Sequence, residues 1–352
     1  MAKHLPKILI AAVLVTISLA SPVQAADAPE PEYNFFTANR GGIFKTTNQG
    51  DTFTHQVKIQ GNSKRNLSKA KVLALKIDPF DDKTVYLLTK NIGLWVSHNS
   101  ASSWQQLKTG KINDLAFDHQ AKGHLYIIAE KQILESSDAG RTWKIIFLEP
   151  RNRKLSALAT NYQNSAGLLT ANRQGDIFRT DNSGKSWQKI VTLKTNNLNG
   201  LMSNPNDFSE VYVTTERDGI FKTTSRGATW IRLDNLKKYK GSDDLGEFKF
   251  NPSVPSHLFL ASKYGLLKSV DSGLSWEPVN LLTAPGKNKI YRLAFDSTDE
   301  KIIYYATRTL FCRSLDSGTN WNCHQLPTKQ KTSDLEINPQ NSDIIYLGVS
   351  ST

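Results

Sequence analysis

Residues 135–146 read ESSDAGRTWKII and set a carboxylate, Asp138, a guanidinium, Arg141, and an indole, Trp143, within a few positions. Such a trio could hold a sugar ring, with the indole stacking and the charged groups taking hydroxyls. A second cluster, KKYKGSDDLGE at 237–247, offers Asp243, Asp244 and Glu247 near Tyr239. Glycoside hydrolysis needs two carboxyl groups flanking the bond at a set separation. Neither cluster works unless rigid elements hold it. The seven histidines are scattered singly, without metal-ligand spacing, so no metal centre and no cofactor is expected.

The elements around the first cluster recur. The octet Ser-x-Asp-x-Gly-x-Thr-Trp returns as TTNQGDTF (46–53), SHNSASSW (97–104), SSDAGRTW (136–143), TDNSGKSW (180–187), TTSRGATW (223–230), SVDSGLSW (269–276) and SLDSGTNW (314–321). The period is roughly 40–50 residues, the size of one four-stranded propeller blade. Upstream of the octets lie apolar runs rich in Val, Ile, Tyr and Phe, broken by turns such as Asn-Pro and Asp-Pro. Each unit therefore reads strand 1, turn, strand 2, turn, strand 3, octet, strand 4. Asp138, Asp271 and Asp316 are expected to organise a turn, and Asn48, Asn99 and Asn182 to substitute for them. Trp143, Trp187, Trp230, Trp276 and Trp321 are expected to wedge between sheets, with Phe53 doing so in the first copy. Ala101 stands where the other octets have Gly, at a backbone position costly for a side chain. Seven drifting copies argue for a structural role, so no catalytic residue is assigned to the octets.

The fold class that follows is all-β: a seven-bladed propeller of four-stranded antiparallel blades. The C-terminal segment 333–351 supplies strands 1 and 2 of a blade, and the N-terminal segment 35–53 supplies the rest. One blade is thus built from both chain ends, with Phe35–Asn39 and Ile344–Val349 competing for the strand 2 slot. Such closure removes free edges between the first and last blades, and a monomer is expected. Residues 1–25 carry a basic start at Lys3 and Lys7, an apolar run from Ile8 to Ala20 and the small-residue site Val23-Gln24-Ala25. They read as a secretory signal, which implies a periplasmic or secreted protein. Residues 26–33 read as a disordered linker and 34–352 as the single propeller domain, with no transmembrane segment in the mature chain. A hairpin that sets Ser314 opposite Trp321 also sets Cys312 opposite Cys323, and a disulfide fits that register and compartment.

The octets resemble the Asp-boxes of the BNR-repeat proteins, a group that includes sialidases, xyloglucan-hydrolysing enzymes, sortilin-type receptor domains and the photosystem II assembly factors of the Ycf48/HCF136 group. The last is closest in shape: one exported seven-bladed propeller with no appended domain. That resemblance implies a binding and assembly factor. The Arg-Ile-Pro motif of sialidases is absent from this sequence.

The formal charge is +12, or +10 without Lys3 and Lys7. In a propeller the 2–3 turns and 4–1 loops emerge on one face, and here they gather the bases. The 2–3 turns carry Arg40, Lys90, Lys131, Arg173, Arg217, Lys263 and Arg308. The 4–1 loops carry Lys64, Arg65, Arg151, Arg153, Lys154, Lys237, Lys238, Lys240, Lys287 and Lys289. The opposite turns lean acidic, with Asp78, Asp81, Asp82, Asp118, Asp207, Asp296, Asp299 and Glu300. The basic face is expected to dock an anionic macromolecule, foremost an acidic protein or membrane complex, with an acidic polysaccharide as a further candidate. An exported protein is a poor candidate for nucleic acid. The rival expectation is a glycan-active propeller, either a glycoside hydrolase or a lectin.

Overall fold

The computed structural model describes residues 40–195 and 197–350. The expected signal, the linker and the strand 2 candidate Phe35–Asn39 lie outside these residues. Seven four-stranded antiparallel sheets and one two-stranded hairpin account for the strands. Blades 1 to 7 are numbered here by their inner strands: Val72–Asp78, Asp114–Phe117, Leu155–Thr160, Leu198–Asn204, Leu245–Asn251, Arg292–Phe295 and Lys331–Ile337. The only helical element among the described residues is a single 3-10 turn at Asp234–Lys238.

Blade 7 settles the competition for strand 2. Its order is Thr54–His55, Gly42–Thr46, Ile345–Ser350, Lys331–Ile337, so the C-terminal segment fills the slot and pairs Phe44 with Leu347.

The inner strands align with one another: VLALKID (72–78), INDLAFD (112–118), LSALATN (155–161), LNGLMSN (198–204), LGEFKFN (245–251), IYRLAFD (290–296) and TSDLEIN (332–338). The fourth residue packs between blades; Leu75, Leu293 and Leu335 are wholly buried. The seventh is Asp or Asn in every copy. Its side-chain oxygen accepts the amide two residues on, from Phe80 onto Asp78 (2.8 Å) to Gln340 onto Asn338 (2.8 Å), all the way round the ring. This Asx-turn closes each strand 1 to strand 2 connection.

The core lies between blades rather than within them. Tyr346 of blade 7 clusters with Val72, Leu75 and Leu87 of blade 1, and Leu88 of blade 1 with Leu115 and Ile127 of blade 2. Cations just ahead of the octets add a second tie. Lys45, Arg179, Lys222 and Arg313 each donate to an octet carbonyl of the next blade: Ser100 (3.1 Å), Arg226 (3.0 Å), Ser272 (2.9 Å) and Gln49 (3.4 Å). The Arg313 to Gln49 contact spans the junction between the end and the start of the chain.

Cys312 and Cys323 form a disulfide across strands 3 and 4 of blade 6, in the expected register.

Deleting the chain from Ser333 onward should abolish cooperative melting of the entire domain, because blade 7 loses both inner strands. A truncated chain with an unchanged thermal transition would refute closure. Replacing both cysteines with alanine should cost up to about 3 kcal/mol in a denaturant titration, from the short loop that the bond closes.

Candidate functional site

The Asp-box cluster has no capacity left for chemistry. Asp138 Oδ1 accepts the amides of Arg141 (3.0 Å) and Thr142 (2.8 Å) and the Ser136 hydroxyl (2.8 Å), while Oδ2 accepts the Thr142 hydroxyl (2.6 Å). Hydrogen bonds from Thr142 and Ser136 hold its carboxyl down at about 2. Asp271 repeats the arrangement with Ser275, and Asp316 with Asn320. Asn48, Asn99 and Asn182 take the same amide and donate to the same hydroxyl instead. Ser225 does the job in blade 4 by accepting the Thr229 amide at 2.9 Å. Gly140 has φ +89°, and Ala101 adopts φ +68° in its place, so the left-handed turn persists with a side chain aboard. The Trp wedge is visible where Trp187 Nε1 donates to Ile146 O (3.0 Å) and Trp321 Nε1 to Asn280 O (2.7 Å), each in the preceding blade.

The 2–3 turns and 4–1 loops do share a face. Hydrogen bonds run directly between them, from Lys90 N to Lys71 O, Leu198 N to Arg173 O, Lys263 N to Asp244 O and Tyr291 N to Ala306 O. The Thr328 hydroxyl donates to Arg40 O at 2.9 Å, which brings Arg40 to the same face. Lys90, Arg151, Lys154, Arg173, Arg217, Lys240, Lys263, Lys287 and Arg308 are exposed there. Other expected cations are engaged. Arg153 pairs with the buried Asp176 (2.9 Å), Lys237 with Asp234 (2.9 Å), Lys289 with Asp244, and Lys238 lies 4.9 Å from the Tyr239 ring centroid. Lys64 and Arg65 sit on the extra hairpin Lys58–Ile59/Asn62–Asn66. That hairpin is bridged through Ile59 to Trp104, at the start of the outermost strand of blade 1, so it carries both residues toward the rim rather than the channel.

One cleft of about 580 Å³ opens on this face between blades 4 and 5. Arg217, Arg232, Lys237 and Lys240 supply its positive lining, Asp234 and Asp243 its acids and Tyr239 an aromatic wall. The segment 237–247 is thus a cleft wall. The Tyr239 hydroxyl is tied to Trp276 O, and Asp244 is tied to Lys289. Glu149 is 2% exposed and accepts the amides of Arg151 and Arg153, which shapes its loop.

A second charged group lies at the inner strands; of its members, Glu247 was read from the sequence only as part of the 237–247 loop cluster. The third position of the aligned strands holds Asp114, Glu247, Arg292 and Asp334; the fifth holds Lys76, Lys249 and Glu336. Three of the acids reach one blade onward to a backbone amide. Leu75 donates to Asp334 (2.6 Å), Leu158 to Asp114 (2.9 Å) and Leu293 to Glu247 (2.6 Å). Lys249 Nζ lies 3.3 Å from Glu247 and 3.6 Å from Glu336, so two carboxylates do converge there. Burial would lower the Lys249 ammonium, but Glu247, Glu336 and Asp334 overcome it and hold it above the usual lysine range. Burial raises the Glu336 carboxyl despite Lys249. The legible signal was a charge inside a strand that otherwise reads as apolar.

Known proteins fit this geometry. Residues 95–235 match the family described as photosynthesis system II assembly factor YCF48. The chain is a seven-bladed Asp-box propeller, and its residues 95–235 are similar to that family. Its fold is similar to that of YCF48 bound to D1 peptide, at 18% identity and TM-score 0.62, over 80% of this chain and 93% of that one. YCF48 from Cyanidioschyzon merolae aligns at 12% identity and TM-score 0.60, over 80% and 96%. The GH74 enzyme of Niastella koreensis aligns at 17% identity and TM-score 0.64, over 80% of this chain and 51% of that one. This propeller therefore spans about half the length of that GH74 structure. No curated protein matches the chain.

Lys249→Met should lower stability by about 3 kcal/mol near pH 8, because Glu247 and Glu336 then lack their shared counter-charge. The loss should shrink toward pH 5, since Glu336, already raised by burial, takes up a proton and removes the orphaned charge. Denaturant titrations at both pH values check the sign, and an equal loss at both would contradict it.

Proposed function

We propose that this propeller is an exported, non-catalytic binding factor that docks an anionic partner, foremost an acidic protein segment or membrane complex, on its basic face. The observation that carries this reading is the grouping of Arg217, Lys240, Lys263 and Arg308 as exposed side chains on one face, with Tyr239 in the cleft between blades 4 and 5. Planar guanidinium forks suit carboxylates, and aromatic walls suit a peptide chain. A structure of similar fold carries a D1 peptide, which supports a protein partner for this chain as well. Export follows from the sequence of residues 1–25.

A glycan-active reading has one observation in its favour, the two carboxylates that meet at Lys249. Both are committed to Lys249, and Glu247 also accepts the Leu293 amide, which favours a structural role for them. Glu247→Gln and Glu336→Gln are therefore expected to alter melting and not to remove any glycosidase activity from a chromogenic xyloglucan-oligosaccharide assay.

Crosslinked pull-down from the periplasm with mass spectrometry should recover an acidic partner. Charge reversal at Arg217 and Arg308 should cut capture about tenfold at low salt, with a loss that shrinks as salt rises. Reversal at Asp81 and Glu300, on the opposite face, should leave capture unchanged. Equal effects on the two faces would sink the proposal.

A further inference from the structure

Cations converge, rather than merely accumulate, at one place on the basic face. Tyr291 stands at the entrance to blade 6, and its ring centroid lies 5.6 Å from Lys289 Nζ and 5.1 Å from Lys331 Nζ. The electron-rich ring accounts for the approach of both ammonium groups. The adjacent Arg292 donates through Nη1 to Gly246 O (2.9 Å) and Tyr291 O (2.7 Å), and through Nε to Ser333 O. Those carbonyls come from the inner-strand regions of blades 5, 6 and 7, so the guanidinium is pinned where three blades meet. Arg308 lies in the 2–3 turn of blade 6, beside Tyr291, whose amide bonds Ala306 O. The sole acid tied into the group among the described residues is Asp244, through Lys289. The cations feel one another: burial, then Arg292, Lys289 and Arg308, lower the Lys331 ammonium.

Four like charges around one ring, with one acid between them, oppose one another, and a bound anion relieves that opposition. Arg292 has spent Nε and Nη1 on carbonyls and keeps Nη2. Lys331 and Arg308 make no side-chain hydrogen bond or ion pair among the described residues. Donors thus approach from three separate chain segments. A planar carboxylate presents two oxygens in one plane, whereas a tetrahedral phosphate presents oxygens in all these directions at once.

We propose that the Tyr291 cluster, formed by Lys289, Arg292, Arg308 and Lys331 at the junction of blades 5, 6 and 7, binds a phosphate group. The group comes either from a small phosphate monoester or from a phospholipid headgroup. The site deepens the docking reading because it lies on the same face, yet the two fail separately. A protein that captures its partner but ignores phosphate refutes only the phosphate site. One that binds phosphate but captures nothing refutes only the docking.

The test uses the mature chain at constant ionic strength. Calorimetric titration with inorganic phosphate and with glycerol 3-phosphate should show one saturable site that acetate does not fill. Lys331→Gln and Arg308→Gln should each weaken it about tenfold, while Arg217→Gln leaves it unchanged. All three positions are exposed, and unchanged melting curves confirm that the variants fold. Sedimentation with phosphatidylcholine vesicles, with and without phosphatidic acid, separates the sources. Binding to the phosphatidic acid vesicles that is lost in the same two variants assigns the headgroup. Binding of the free monoester without any vesicle gain assigns the small molecule. The proposal is overturned if acetate competes equally, if Arg217→Gln weakens phosphate as much as Lys331→Gln, or if no saturable binding occurs.

Discussion

A ring of sheets leaves the inner edge of every blade facing a narrow central space, and the backbone amides on that edge need acceptors. Carboxylates one blade back provide them at three junctions: Asp334 for Leu75, Asp114 for Leu158 and Glu247 for Leu293. Burying those acids is tolerable only with cations beside them, which is the role of Lys76 and Lys249. The charged interior is therefore a by-product of closure. The same need recurs further out, where Lys45, Arg179, Lys222 and Arg313 reach octet carbonyls of the following blade. The overall charge of +12 thus overstates what is available to a partner, since part of it is committed to holding blades together.

The fold was legible in the sequence because its local signals agree. Asp138, Gly140 and Trp143 mark the outer turn of a blade, and the Asp or Asn that ends each inner strand marks the inner turn. Substitutions such as Asn48, Asn99 and Ala101 read correctly because the role is geometric: an oxygen that accepts an amide, and a backbone that turns left-handed. Register follows from the octets, which is why the sequence alone sets Cys312 opposite Cys323.

Of the candidate site, the sharing of one face by the 2–3 turns and 4–1 loops was legible, but not the detail. Turn and loop positions placed Arg217 and Arg308 on the basic face, yet pairing across blades is invisible in one chain, so the ion pairs of Arg153, Lys237 and Lys289 were not foreseen. Arg292 was overlooked because it lies in a strand, and Lys331 was read as the end of a basic 4–1 loop rather than the start of an inner strand. Both faces of a propeller blade are packed, so strand alternation does not say which charges turn toward the axis. The long stretch at 61–71 looked like one more loop; its first half forms a hairpin with Lys58–Ile59 and takes Lys64 and Arg65 outward.

Blade 7 draws its two inner strands from the last residues described and its two outer strands from the first. A chain made from its N-terminus holds Gly42–Thr46 paired only with Thr54–His55, without its inner partner Ile345–Ser350, until the end of synthesis. Lys331, the first residue of that final inner strand, reaches Tyr291 only when the strand docks. The converging cations therefore come together as the last act of assembly. A fragment stalled before blade 7 lacks one of them, so occupancy of that place reports that the molecule is whole.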